Sequence, residues 1–213
     1  LEGVNLSGVD IRGVDFSYAN MKNADFSSAI MGKYVQIYED SERACSDKTS
    51  MIRNSILQAN CMIQVIDEEE IITKFINTNL QNAKFLNDPN SQTHNFISHA
   101  DFTNSDLSNA EISNTEFYGC KFNGSILNGI TVKGGVIQFI GGDFSDVTMK
   151  DGDFNIDWLH GASFENANII NSNFNSNLAS FVNFKNTDFN GSNVHFEIAT
   201  DANDYNCKNN AIC

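Results

Sequence analysis

Residues 1–31 read LEGVNLSGVDIRGVDFSYANMKNADFSSAIM. A bulky apolar residue falls at every fifth position: Leu1, Leu6, Ile11, Phe16, Met21, Phe26 and Met31. From the second onward a small residue stands two places before it: Val4, Val9, Val14, Ala19, Ala24 and Ala29. The residue between each pair is Asn5, Asp10, Asp15, Asn20, Asp25 and then Ile30. A period of five fits neither the 3.6-residue turn of a helix nor the two-residue alternation of a strand. The chain must therefore turn a corner about once per unit, with the small and the bulky residue both pointing inward. Four such units close a square coil of about twenty residues, and stacked coils bury one continuous core.

The rhythm recurs. Phe75, Leu80 and Phe85 hold the bulky position, with Thr73, Thr78 and Ala83 before them. A longer run passes through Phe102, Leu107, Ile112, Phe117, Phe122, Leu127, Val132 and Ile137, and Ile130 and Gly135 loosen its small positions. The phase then slips by two residues. A last run goes from Phe139 through Phe144, Met149, Phe154, Leu159, Phe164, Ile169 and Phe174 to Phe184, Phe189 and Val194, weakened only at Ala179.

With units such as ANMKN, ADFSS, ADFTN and ANIIN, the chain resembles the pentapeptide-repeat family, whose signature is A(D/N)LxX. The resemblance implies an all-β fold, a right-handed quadrilateral parallel β-helix with type II and type IV turns at its corners. A shape is what such a family shares, and function has to be argued from sites. One elongated repeat domain over residues 1–199 is expected, interrupted at about 32–55 and 86–95 and followed by a tail or cap at 200–213. About eight coils at the usual strand spacing of roughly 4.8 Å would make a stack about 40 Å long.

Composition fits this reading. Seventeen Phe against a single Pro suit a core of stacked rings and a backbone that needs its amide donors for ladders. The net charge of −14 argues against a direct grip on nucleic acid, which requires basic patches. It suits either plain solubility or imitation of DNA. Five Cys form no metal spacing. Cys61 and Cys120 sit on inward positions, Cys45 in an interruption, Cys207 and Cys213 in the tail. No stretch is apolar and long enough to span a membrane, and no leader is visible.

The segment 32–55 abandons the rhythm and carries Lys33, Arg43, Lys48 and Arg53. It is expected to leave the coil as a loop, and loops held out by a rigid scaffold often bind. Residues 56–72 keep the spacing at Ile56, Cys61, Ile66 and Ile71 but include the acidic run Asp67 to Glu70. Residues 86–95, LNDPNSQTHN, read as a turn-rich loop.

No phosphate loop, zinc motif or nucleophile elbow is present, and His94, His99, His160 and His195 have no spaced partner. Asp143 and Asp153 occupy the ordinary outward position. Asp157 falls on the small inward one, where a carboxylate is buried unless the coil widens and lets it bond backbone amides. No catalytic, cofactor or metal residue is therefore assigned. The outward site before the bulky residue, normally Asp, Asn or Ser, is instead Trp158, Leu178 and Ile198 on one face. Phe181 is expected at a corner of that face, and Ile156 and Phe196 at the neighbouring corner. Contiguous exposed apolar surface marks an interface unless the tail folds back over it. The candidate partner-binding residues are Trp158, Leu178, Phe181 and Ile198, with Arg43 and Lys48 in the insertion.

The leading functional reading is a non-enzymatic protein-binding scaffold, in the bacterial cytoplasm or secreted into a host cell. Imperfect, Asn-rich coils with insertions resemble those of bacterial effectors, including the β-helix domains of HECT-like ubiquitin ligases. The alternative is a DNA-mimicking protein that protects gyrase, as acidic members of the family are thought to do. A glycan-active β-helix enzyme is third. No cofactor is expected, and the partner is a protein.

Overall fold

The structure, a computed structural model, describes residues 1–32, 72–88 and 95–202. The chain divides into two units, Leu1–Lys33 with Ile72–Cys213, and Tyr34–Ile71. The second lies outside the described residues, as do Arg43, Lys48, the expected units at Ile56, Cys61, Ile66 and Ile71, and the tail beyond Ala202.

The first unit is a four-sided parallel β-helix. Its strands are β1 (Met31–Gly32), β2 (Lys84–Phe85), β3 (Asn95–Ser98), β4 (Glu111–Ile112), β5 (Thr115–Tyr118), β6 (Thr131–Val132), β7 (Gln138–Ile140), β8 (Thr148–Lys150), β9 (Asp153–His160), β10 (Asn168–Ile170), β11 (Asn173–Ser180) and β12 (Asn193–Thr200). All pairings are parallel, and no helix occurs among the described residues. On the first face the outward residues stack as Asn5, Asp25, Lys84, Glu111, Thr131, Asp153, Asn173 and Asn193. The third face stacks Asp15, Lys74, Asp101, Lys121, Asp143, Ser163 and Asn183, and the fourth Asn20, Asn79, Asp106, Ile126, Thr148, Asn168 and Asp188. On the second face β1, β3, β5, β7, β9, β11 and β12 lie side by side.

The unit's chemistry explains its spelling. The bulky residue accepts the turn bond, as when Ala19 N donates to Phe16 O at 3.0 Å. The third residue of the turn takes a positive φ, at Tyr18 (64°), Asn23 (60°), Asn104 (56°) and Asn166 (59°) among others, a region that Asn tolerates well. The polar residue before the bulky one caps the turn. Asp15 Oδ1 accepts Ser17 N at 2.9 Å, Asp101 Oδ1 accepts Thr103 N at 3.0 Å and Asp143 Oδ1 accepts Ser145 N at 3.0 Å. This local bond is the reason for Asp or Asn there.

Inward, the third face is a column of phenylalanines: Phe16, Phe75, Phe102, Phe122, Phe144, Phe164 and Phe184. Successive ring centroids are 5.4, 4.9, 4.7, 4.7, 4.7 and 5.7 Å apart. The strand spacing of about 4.8 Å suits the offset stacking distance of aromatic rings, so the ladder sets the stack. Phe26, Phe117 and Phe189 of the other faces are buried as expected. Buried hydroxyls at small positions are satisfied by carbonyls one coil away. Ser125 Oγ donates to Phe102 O at 2.7 Å, Thr187 Oγ1 to Phe164 O at 2.8 Å, and Ser105 Oγ to Phe75 O. In the first coil Val9 and Val14 are exposed and Phe16 is half-buried, because no described coil lies beneath them.

The two-residue slip is localised. Glu111↔Thr131 is a step of twenty, whereas Thr131↔Asp153 and Phe117↔Phe139 are steps of twenty-two, so the extra residues lie among Lys133 to Val136.

Candidate functional site

The corner joining the first and second faces is where the coil is irregular. The slip occurs there. In the later coils the turn disappears. No residue from Asp153 to His160 has a positive φ, and β9, β11 and β12 each run straight through the corner.

A stacked bulge replaces the turn. The N–H groups of Asp157 and Trp158 both reach Ile137 O, at 2.9 and 3.4 Å, two residues opposite one. The register pairs Ile156 with Ser176 and Trp158 with Leu178, and skips Asp157 and Asn177. Two expectations are corrected here. Ile156, placed by its spacing at an outward corner, is buried, because a β-branched residue resists the positive φ of the turn and the chain extends, turning it inward. Phe196 likewise is not an outward corner residue: it is half-buried and stacks on Phe184 at 5.5 Å and 14°, continuing the phenylalanine column. Asp157 is displaced outward, and its Oδ2 accepts Ile137 N at 2.8 Å, the amide bond expected of a widened coil.

Trp158, Leu178 and Ile198 follow one another on the outer side of the second face. Trp158 is 37% exposed, Ile198 55%, and Leu178 is half-buried. Phe181 sits at the next corner, 58% exposed, with a φ of 56° that an aromatic residue rarely adopts, and its ring meets His160 edge-on at 5.5 Å. The structure thus brings together the four described candidates.

Beside the stripe, at the bulged corner, lies an open recess of about 190 Å³ lined by Gly134, Gly135, Asn155, Ile156, Asp157, Asn175 and Asn177. Its amides are oriented by carboxylates. Asn155 Nδ2 donates to Asp153 Oδ1 at 2.6 Å, Asn175 Nδ2 to Asn155 Oδ1 at 2.8 Å, and Asn177 Nδ2 to Asp157 Oδ1 at 3.1 Å. A carboxylate only accepts, so Asn155 and Asn177 turn their nitrogens toward it. The ladder leaves Asn175 Oδ1, Asn177 Oδ1 and the remaining lone pairs of Asp157 as acceptors. Sequence reasoning missed this recess.

Among the described residues no group of three or more His, Cys, Asp and Glu is placed to hold a metal ion. The Cys120 thiol is fully buried, and desolvation pushes its pKa up to about 12, far from that of a reactive thiolate. Charge on the outer faces alternates: Asp15, Lys74, Asp101, Lys121, Asp143 on the third, and Asp25, Lys84, Glu111 on the first. Further along the first face, Asp153 pairs with Lys133 at 3.3 Å. No helix of the described residues is long and apolar enough to cross a membrane.

The family model for pentapeptide repeats matches eight copies, over residues 1–32, 97–129 and 159–195. None of the curated proteins matches the chain. Similar solved structures include a trypsin-treated QnrB1, a plasmid-mediated fluoroquinolone resistance protein, at 14% identity over 90% of this chain and 88% of that one, with a TM-score of 0.38. HetL, involved in heterocyst differentiation regulation in the cyanobacterium Nostoc sp. strain PCC 7120, is 10% identical over 92% and 87%, with a TM-score of 0.23. Rfr23 from the cyanobacterium Cyanothece 51142 is 14% identical over 89% and 86%, with a TM-score of 0.22.

Proposed function

We propose, from the premise that this chain is a pentapeptide-repeat protein, that it is a non-enzymatic scaffold that binds a protein partner through the outer side of its second face. The observation that carries this reading is the stripe of Trp158, Leu178 and Ile198 with Phe181 beside it. Nothing in the coil needs large apolar residues on outward positions, and contiguous exposed apolar surface is a mark of interfaces. Imitation of DNA is less well supported, because lysines interrupt the acidic columns of the first and third faces. A basic groove built for phosphate would meet like charges there. A recruiting role of this kind is the same whether the β-helix acts alone or serves a larger effector or ligase.

The test is affinity capture with the full chain as bait beside Leu178→Asp and Ile198→Asp, each checked for native circular dichroism. A protein retained by the parent chain and lost from both variants is the expected result. An identical set of captured proteins from all three baits would overturn the assignment of the stripe. A gyrase supercoiling assay separates the alternative, for which protection or inhibition that is indifferent to Leu178→Asp is required.

A further inference from the structure

We propose that the partner element seated on this face is a basic amphipathic helix lying along the stacking axis. The inference rests on the protein-binding reading of the stripe and adds the chemistry of its occupant.

An extended segment gains affinity and register from main-chain bonds to an open strand edge. β9 and β11 have strands on both sides, so the backbone beneath Trp158 and Leu178 is already committed to the ladder. A helix satisfies its own backbone and needs only side-chain contact, which is what a sheet face offers.

Spacing agrees. Trp158 and Ile198 are two coil steps apart, about 9.6 Å at the usual strand spacing, and positions i and i+7 of a helix are about 10.5 Å apart. Apolar residues at i, i+3 or i+4, and i+7 would therefore meet Trp158, Leu178 and Ile198 in turn.

Charge fixes the flank. The three strands hold Asp153, Asp157 and Glu197 and contain neither Lys nor Arg. Asp153 is engaged by Lys133, whereas Glu197 is exposed and Asp157 faces the recess. Asp157 immediately precedes Trp158 and Asn177 immediately precedes Leu178, so the recess adjoins the stripe. Its free acceptors are Asn175 Oδ1, Asn177 Oδ1 and the Asp157 carboxylate, and although each amide keeps a second N–H, the one formal charge among the lining residues is the negative charge of Asp157. A group that donates several bonds and carries positive charge, an ammonium or a guanidinium, matches it. The helix is thus one whose apolar face is bordered by Lys or Arg on the side toward Asp157 and Glu197.

Trp158 is the only tryptophan of the chain, so its emission reports occupancy of the face directly. The full chain is titrated with three synthetic peptides: a Leu-faced helix bordered by Arg, the same peptide with a central Pro, and the same peptide with Glu for Arg. The first is expected to shift Trp158 emission to shorter wavelength in a saturable way, and to weaken as salt rises. The Pro and Glu peptides should each bind at least tenfold more weakly, Leu178→Asp should abolish the shift, and Glu197→Lys should weaken it several-fold with the fold intact. Equal binding of the Pro peptide would overturn the helix in favour of an extended segment. Equal binding of the Glu peptide would remove the role of the acidic flank. No shift with any peptide up to millimolar concentration would overturn the helix proposal, while the capture experiment with Leu178→Asp would still judge whether the face binds protein at all.

Discussion

Phe144→Ala probes the central physical claim, that a hydrogen-bonded ladder holds the phenylalanine column open at fixed spacing. Phe144 is 1% exposed, stacks at 4.7 Å on both Phe122 and Phe164, and meets Phe139 and Phe154 edge-on at 5.2 and 6.1 Å. Truncating a buried Phe costs about 3–5 kcal/mol, depending on how far the site can collapse. Collapse is opposed here because the coils above and below are pinned: Phe144 N donates to Ser163 O at 2.7 Å, and Phe122 N to Asp143 O at 2.7 Å. Four aromatic contacts are lost together, so the upper end applies, about 4–5 kcal/mol. For a domain of this size that lowers the melting temperature by about 8–20 °C. Phe16→Ala is the control. Phe16 is half-buried and its ring contact is a single stack on Phe75 at 5.4 Å. Its loss should cost about 1–2 kcal/mol, part of the burial energy of one side chain. Urea unfolding followed by far-ultraviolet circular dichroism measures both. If Phe144→Ala proved no more costly than Phe16→Ala, the coils would be free to close over the gap and the pinned-ladder argument would fall.

Gly135→Ala should destabilise by about 3 kcal/mol, since φ is +75° and the new Cβ would lie 2.5 Å from Asn114 Cβ, while Gly3→Ala, with φ +68° and no atom within 4 Å, should cost only about 1–2 kcal/mol by the same urea assay. Asn114 cannot simply retreat, because its Oδ1 accepts Val136 N at 3.1 Å and its Nδ2 donates to Asp88 O at 2.6 Å. Cys120 should add a slope to stability at alkaline pH. Its thiol titrates near 9 when unfolded and about 12 when folded, so between those values the unfolded state has released the proton that the folded state retains, and stability falls as pH rises. The contribution is at most about 1.4 kcal/mol per pH unit, and the difference between parent and Cys120→Ala melts isolates it. Ser125→Ala should cost less than about 1 kcal/mol, because Phe102 O keeps the turn bond from Ser105 N at 3.0 Å; a loss above about 2 kcal/mol would show that the buried hydroxyl matters more than its geometry implies.

The spacing of bulky residues was enough to place Phe26, Phe102, Phe117, Phe144, Phe164 and Phe189 in the core, because five-residue periodicity has one solution in which they share an interior. The bulged corner was less legible. Asp153, Asn173 and Asn193 remain twenty residues apart whether the chain turns or runs straight, so counting does not distinguish the two. The signal lay in residue type. Two places after the bulky residue the turn needs a positive φ, and Gly, Asn or Asp usually supplies it. After Phe154, Phe174 and Val194 that position holds Ile156, Ser176 and Phe196 instead. A β-branched residue there foretells an extended corner. The recess was illegible for a different reason: it depends on amide orientations that only the stacked carboxylates determine.

A separate change, at the corner that follows the stripe, explains why the stripe lies on the second face. On the third face Asp15, Asp101 and Asp143 are each tied to their turn, Asp143 through Ser145 N, and an apolar replacement would leave that N–H without its cap. On the second face β7, β9, β11 and β12 continue past the bulky residue, and Ile140, His160, Ser180 and Thr200 join the ladder. The backbone that Asp would have capped is bonded to neighbouring strands, so the outward position carries no local duty. A freed position explains Gln138, which is polar, as readily as it explains Trp158. It does not explain Trp158, Leu178 and Ile198 in unbroken succession with Phe181 held at positive φ beside them, since none of the four fills the core. Freeing the outward position from its cap permits the stripe, and the partner contact proposed above would give three adjacent coils a reason to carry it.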